Sequence, residues 1–152
     1  MNPTDVIIRY AELADVDAMV KLLAQLFSIE ADFAVDENRQ RKGLERMLAG
    51  CRKHSCIKVA EINRRVIGMC SAQILISTAE GGPVALLEDM VILPAWRRRD
   101  IGSRLLAAVE SWARERGATR LQLLADRTNL SALKFYERLG WQTTRLICLR
   151  KT

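Results

Sequence analysis

Apolar positions along this chain follow two rhythms, one for helices and one for strands, and together they predict its elements. Val6–Arg9 is a short β-rich run. After Asp15, a residue suited to capping, Met19, Leu22, Leu23 and Leu26 recur at the 3.6-residue period of one helical face. Residues 28–38 are irregular and acidic, with Glu30, Asp32, Asp36 and Glu37, and a second helix follows over 40–49. Strands over 57–62 and 66–77 meet at Asn63-Arg64, a tight-hairpin signal. Gly81-Gly82-Pro83 breaks the chain before a strand over 85–93, which Pro94 ends because it lacks an N–H. Leu105, Val109 and Trp112 stand at i, i+4 and i+7 of a helix over 102–116, stopped by Gly117. A strand over 121–124, a helix over 129–139 bounded by Asn129 and Gly140, and strand material over 141–150 complete the order βααβββαβαβ.

Strand, helix and strand over 85–124 form a βαβ unit, which requires parallel strands, whereas the preceding hairpin is antiparallel. The prediction is an α+β fold with a mixed central sheet flanked by helices. A length of 152 residues suits a single domain, residues 1–152, able to bury a self-sufficient core.

Composition narrows the function classes. Apolar residues make up 49% and charged residues 28%, a globular rather than disordered mixture. No apolar run is long enough to span a membrane. The first five residues lack a basic region followed by an apolar one, so no secretory signal is predicted and the cytoplasm is the default. Cys51, Cys56, Cys70 and Cys148 do not suggest a disulfide framework in a chain of this size. Cys51, His54 and Cys56 have a spacing that matches no common zinc pattern, so no metal is expected.

The net charge of +6 admits nucleic acid, a membrane surface or an anionic ligand. Part of it is scattered, but Arg97-Arg98-Arg99 is focused at one strand-to-helix turn. A helix start presents unpaired N–H groups and partial positive charge to an anion. In Arg97, Arg98, Arg99, Asp100, Ile101, Gly102 and Ser103, the glycine permits close backbone approach and the serine offers a hydroxyl. Neither the dinucleotide glycine fingerprint nor the Walker pattern is present. No nucleic-acid motif appears either, so neither nucleic acid nor membrane is expected as a partner.

The run from Leu87 to Ser103 (LEDMVILPAWRRRDIGS) resembles the central strand and pyrophosphate loop of the GNAT superfamily of acyltransferases, written R/Q-x-x-G-x-G/A. The run from Asn129 to Trp141 (NLSALKFYERLGW) resembles its second motif, N-x-x-A-x-x-F-Y-x-x-x-G-F. Asp100 replaces the first glycine of the loop, a substitution that turn geometry tolerates, and Trp141 replaces the usual Phe.

The resemblance implies acetyl-CoA (coenzyme A) as cofactor. Backbone groups of Met90, Val91 and Ile92 are expected to bond its pantetheine, and residues 97–103 its pyrophosphate. Asn129, Ala132, Tyr136 and Arg138 are expected to complete the cofactor site. Direct attack requires a free amine, although an alkylamine with a pKa of about 10.4 is protonated at neutrality, so a base must act. Adjacent strand residues face opposite sides. By likeness to spermidine/spermine acetyltransferases, Glu88 is the candidate base and Asp89 is structural or paired with an arginine. Tyr136, with a pKa of about 10, can protonate a departing thiolate of about 8.5.

Phe27, Glu30, Glu88 and Leu124 are expected at the acceptor, which the acidic segment suggests is a small cationic amine. An amino acid or protein N-terminus is the alternative acceptor, and a non-catalytic acyl-CoA-binding regulatory domain is the alternative function. A homodimer is expected from the family alone.

Overall fold

The computed structural model describes residues 2, 5–30, 32–50 and 52–152. The leader reading on residues 1–5 falls partly outside these, as does the Cys51 member of the zinc-like cluster. The elements are β1 (Ile7–Tyr10), α1 (Val16–Ile29), α2 (Glu37–Ala49), β2 (Ser55–Ile62), β3 (Arg65–Ser77), β4 (Gly82–Ile92), α3 (Ile101–Glu115), β5 (Leu121–Leu123) and α4 (Leu130–Arg138). Short 3-10 turns occupy Leu13–Asp15 and Pro94–Trp96. The chain forms two compact units, one through Gln122 and one over Leu123–Thr152.

The sheet runs β1-β2-β3-β4-β5. The first three pairings are antiparallel. β4 and the approach to β5 are bonded in the parallel sense, with Thr119 N–H donating to Pro83 at 3.2 Å and Ala85 N–H to Arg120 at 2.9 Å. Asn63 and Arg64 take φ of 48° and 63°, the left-handed pair that closes a two-residue hairpin with the twist of its strands. β4 begins at Gly82 rather than at Ala85. The predicted final strand does not form: residues 141–152 contain no strand, and Leu146, Ile147 and Leu149 are exposed. The observed order is therefore βααβββαβα.

α1 lays Met19, Leu22 and Leu23 on Ile57, Val59, Met69 and Val91 of the sheet, with Leu44 of α2 in the same cluster. α3 buries Leu105, Val109 and Trp112, whose indole N–H donates to the Arg52 carbonyl at 2.8 Å. That partner removes the cost of burying the indole nitrogen. Gly68 permits close packing: a Cβ there would lie 2.5 Å from Ile92 Cδ1 and 3.2 Å from Leu105 Cδ1. Asp15 makes no side-chain cap to α1. It is buried and grips the Arg9 guanidinium through two oxygens at 2.8 and 2.9 Å, and Arg9 also bonds Glu61.

Candidate active site

The middle of β4 departs from regular strand geometry. Met69 pairs with Val91 and Ser71 with Glu88, so Cys70 alone faces both Asp89 and Met90. This is a β-bulge, and Asp89 takes the left-handed conformation it needs, φ 54°. The strict alternation assumed for Glu88 and Asp89 is broken there. Ser71, fully buried on β3, donates its hydroxyl to the Glu88 carbonyl at 3.1 Å and reaches Asp89 Oδ2 at 3.4 Å. An interrupted ladder leaves backbone polar groups in need of partners, and the serine hydroxyl supplies one.

The two carboxylates sit in different surroundings. Glu88 is exposed, whereas Asp89 is half-buried. Burial pushes the Asp89 carboxyl up to about 6, the negative charges of Glu88 and Glu30 add to the rise, and the Ser71 hydroxyl opposes it. A carboxyl with that value is largely ionised at neutrality and still a competent proton acceptor. Glu30 caps the C-terminus of α1, and its carbonyl accepts from Phe33 N–H at 3.3 Å. Phe27 stacks on Phe33 with ring centroids 5.1 Å apart, which fixes the start of the acidic segment. The structure thus brings Glu30 within electrostatic reach of Asp89, while Phe27 packs against the core cluster.

After β4, the backbone curls into α3. Arg98 and Asp100 have φ of 60° and 65°, so aspartate occupies the left-handed position where the loop motif carries glycine. Such alternation of backbone hand turns successive N–H groups toward one concavity. The first helical bond runs from Arg104 N–H to the Asp100 carbonyl at 3.2 Å, which leaves the N–H groups of Ile101, Gly102 and Ser103 ahead of it. The side chains differ from the expectation. Ser103 donates its hydroxyl to Asp100 Oδ1 and lies 3.0 Å from the Asp100 carbonyl. Arg97 Nε donates to the Ile92 carbonyl at 3.1 Å, and Arg99 lies over the Trp96 ring. Arg97 therefore ties the turn to the end of β4, and the Ile92 carbonyl already has a partner. Val91 and Ile92 are buried and pair with Met69 and Gly68, whereas Met90 belongs to the bulge. The arrangement suits a pyrophosphate, with backbone N–H groups at a helix start and exposed arginines around them.

In the second unit, Asn129 is the N-cap of α4, its Oδ1 accepting from Ala132 N–H at 3.1 Å. That leaves its amide NH2 for other partners. Tyr136 lies edge-on to Trp141, centroids 6.1 Å apart, and Phe135 also meets it edge-on at 5.3 Å. Gly140 takes φ 89° to end the helix, and Trp141 N–H bonds the Tyr136 carbonyl at 3.0 Å. Leu124 and Arg138 are exposed.

Sequence reasoning did not anticipate the bulge or the Ser71–Asp89 contact. A serine amid the apolar positions of β3 was the available signal. A cavity of about 450 Å³ lies at Tyr10, Glu12, Glu45, Arg52 and Cys56, and no expected site residue lines it. Among the described residues, no group of three His, Cys, Asp or Glu could hold a metal, and no helix is long and apolar enough to cross a membrane.

Known proteins share this fold. Residues 23–141 match the acetyltransferase (GNAT) family. The aminoalkylphosphonate N-acetyltransferase of Salmonella typhimurium is 29% identical over 135 residues, covering 89% of this chain and 84% of that protein. An aminoglycoside N(6′)-acetyltransferase type 1 of the same organism is 28% identical over 102 residues, 64% of this chain and 70% of its own. An aminoglycoside N-acetyltransferase solved in complex with CoA shares the fold, with a TM-score of 0.81, 24% identity and coverage of 96% and 94%. The match over residues 23–141 makes this chain a member of the acetyltransferase (GNAT) family and an N-acetyltransferase.

Proposed function

We propose that residues 1–152 act as one acetyltransferase domain that moves the acetyl group of acetyl-CoA to the primary amine of a small cationic acceptor. The observation that carries this reading is the carboxylate corner of the β4 bulge, where Asp89 is held at about 6 beside Glu88 and Glu30. Negative charge there attracts an ammonium, and a carboxyl near neutrality can take its proton. Aminoalkylphosphonates and aminoglycosides, the acceptors named for two relatives, are small molecules with amines. These names support the class and leave the individual acceptor to experiment.

In the proposed reaction, Glu88 and Glu30 draw in the protonated amine, with Phe27 and Leu124 offering it apolar contact. The proton passes to Asp89, taking over the base role first given to Glu88. The free nitrogen attacks the thioester carbonyl, a C–N bond forms, and the C–S bond breaks. Tyr136 donates its phenolic proton to the leaving thiolate and is restored by the second proton that the acylated nitrogen sheds. Backbone N–H groups of residues 101–103 and the side chains of Arg97, Arg98 and Arg99 bind the pyrophosphate. Met90, Val91 and Ile92 of the strand, with Asn129, Ala132 and Arg138 of the later motif, are assigned to the rest of the CoA. Assembly as a homodimer belongs to the same proposal and rests on the family resemblance.

The test is CoA-thiol release from acetyl-CoA with aminoalkylphosphonates, aminoglycosides, polyamines, amino acids and peptides. Turnover confined to small cationic amines is the expected result. Turnover only on peptides or amino acids would replace the acceptor class. Calorimetric CoA binding without turnover of any acceptor would identify a non-catalytic acyl-CoA-binding domain instead.

A further inference from the structure

We infer that Ser71 is a positioning residue for Asp89: through one hydroxyl shared between the Glu88 carbonyl and the Asp89 carboxylate, it fixes the carboxylate at the bulge and favours its ionised form. This inference rests on the proposed proton acceptor, and it adds a residue outside both sequence motifs.

Three observations carry it. Ser71 is 2% exposed, so its hydroxyl is sheltered from competing water. Its Oγ lies 3.1 Å from the Glu88 carbonyl, just before the bulge, and 3.4 Å from Asp89 Oδ2, within it. The bulge gives Asp89 a left-handed backbone, φ 54°, so side-chain direction there depends on contacts rather than on the regular pleat. A buried hydroxyl has two acceptor directions and one proton. When Asp89 is ionised, that proton can be drawn toward the carboxylate. When Asp89 is protonated, the Glu88 carbonyl is the remaining strong acceptor. The hydroxyl thus responds to the charge on Asp89 without leaving its place.

The other groups acting on Asp89 push the opposite way. Glu88 on the same strand and Glu30 at the end of α1 both disfavour its negative charge, and burial does the same. Cys70, buried beside Ser71 on β3, remains a neutral thiol because burial and the Asp89 charge both raise its titration. Among the described residues, Ser71 is the group that opposes these effects on Asp89. Removing its hydroxyl therefore delays ionisation of the carboxyl to higher pH.

The experiment measures kcat/KM against pH for the wild type, Ser71→Ala, Ser71→Thr and Asp89→Asn, using the best acceptor from the panel above. Ser71→Ala is expected to move the acid limb upward by about 0.5–1 pH unit, with KM for acetyl-CoA unchanged. Ser71→Thr, which retains the hydroxyl, is expected to restore the limb. Asp89→Asn is expected to abolish it. An unmoved limb in a folded Ser71→Ala protein, with the limb still absent in Asp89→Asn, overturns the role of Ser71 alone. A limb that persists in Asp89→Asn overturns the base assignment and this inference with it. Should Ser71→Ala fail to fold, Ser71→Cys keeps the volume with a weaker donor, and its limb must move in the same direction.

Discussion

Ser71 Oγ approaches Asp89 Oδ2 at 3.4 Å across the β3–β4 ladder, at the point where one residue of β3 faces two of β4. This pairing joins a backbone irregularity to an ionisable side chain. The bulge places Asp89 beside a buried hydroxyl, and burial with neighbouring carboxylates then tunes it. The chemistry proposed for the protein depends on that local break in the sheet.

Asp89 should weaken the fold while serving the reaction. Its folded carboxyl titrates at about 6, above the unfolded value of about 3.9. The folded state therefore holds the proton to higher pH, and stability falls as pH rises through the window between those values. Asp89→Asn removes that loss. Thermal unfolding near pH 7.5 should show Tm raised by a few degrees, roughly 2–4 °C per kcal/mol for a chain of this size, while the gain shrinks below about pH 4.

Helix periodicity and the hairpin were legible in the sequence. Trp112 and Val109 occupy the apolar stripe that the spacing predicts, and Asn63-Arg64 forms the turn. The bulge was not legible, because Leu-Glu-Asp-Met reads as an uninterrupted strand and no glycine marks its left-handed residue. The stretch over 141–150 failed for the opposite reason. Its β-rich composition describes what a strand could contain, but strand formation depends on a neighbour for the backbone groups. The Phe27–Phe33 contact joins the last turns of α1 to the irregular segment beyond it, where no period reveals a partner.

Asp100 occupies the left-handed turn that a glycine would adopt more freely, and its carboxylate engages Ser103. Asp100→Gly removes a negative charge from the proposed pyrophosphate site and releases the serine hydroxyl. Calorimetry should give about 3–10-fold tighter CoA binding. Weaker binding would show that the Asp100–Ser103 contact shapes the loop more than its charge opposes the ligand.

Tyr136→Phe keeps the ring within its edge-on contacts with Phe135 and Trp141 but removes the phenolic proton. We expect kcat to fall by roughly 10²-fold with little change in CoA affinity. Steady-state kinetics paired with calorimetry separates the two. Equal losses in both quantities would mark Tyr136 as a binding residue rather than an acid.

Gly68→Ala places a methyl against Ile92 Cδ1, Leu105 Cδ1 and the Val91 carbonyl. Ile92 can move aside in part, so the expected cost is that of an overpacked core, about 1–3 kcal/mol. Denaturant unfolding should show a lower midpoint with an unchanged slope.

Amine-dependent release of CoA thiol, followed across about pH 5 to 9 for the wild type and Asp89→Asn, tests the central claim most directly. Release should require the amine, rise with pH through about 6 in the wild type, and lose that rise in the variant. Release indifferent to the amine, or an identical pH profile in both proteins, would contradict direct transfer assisted by Asp89.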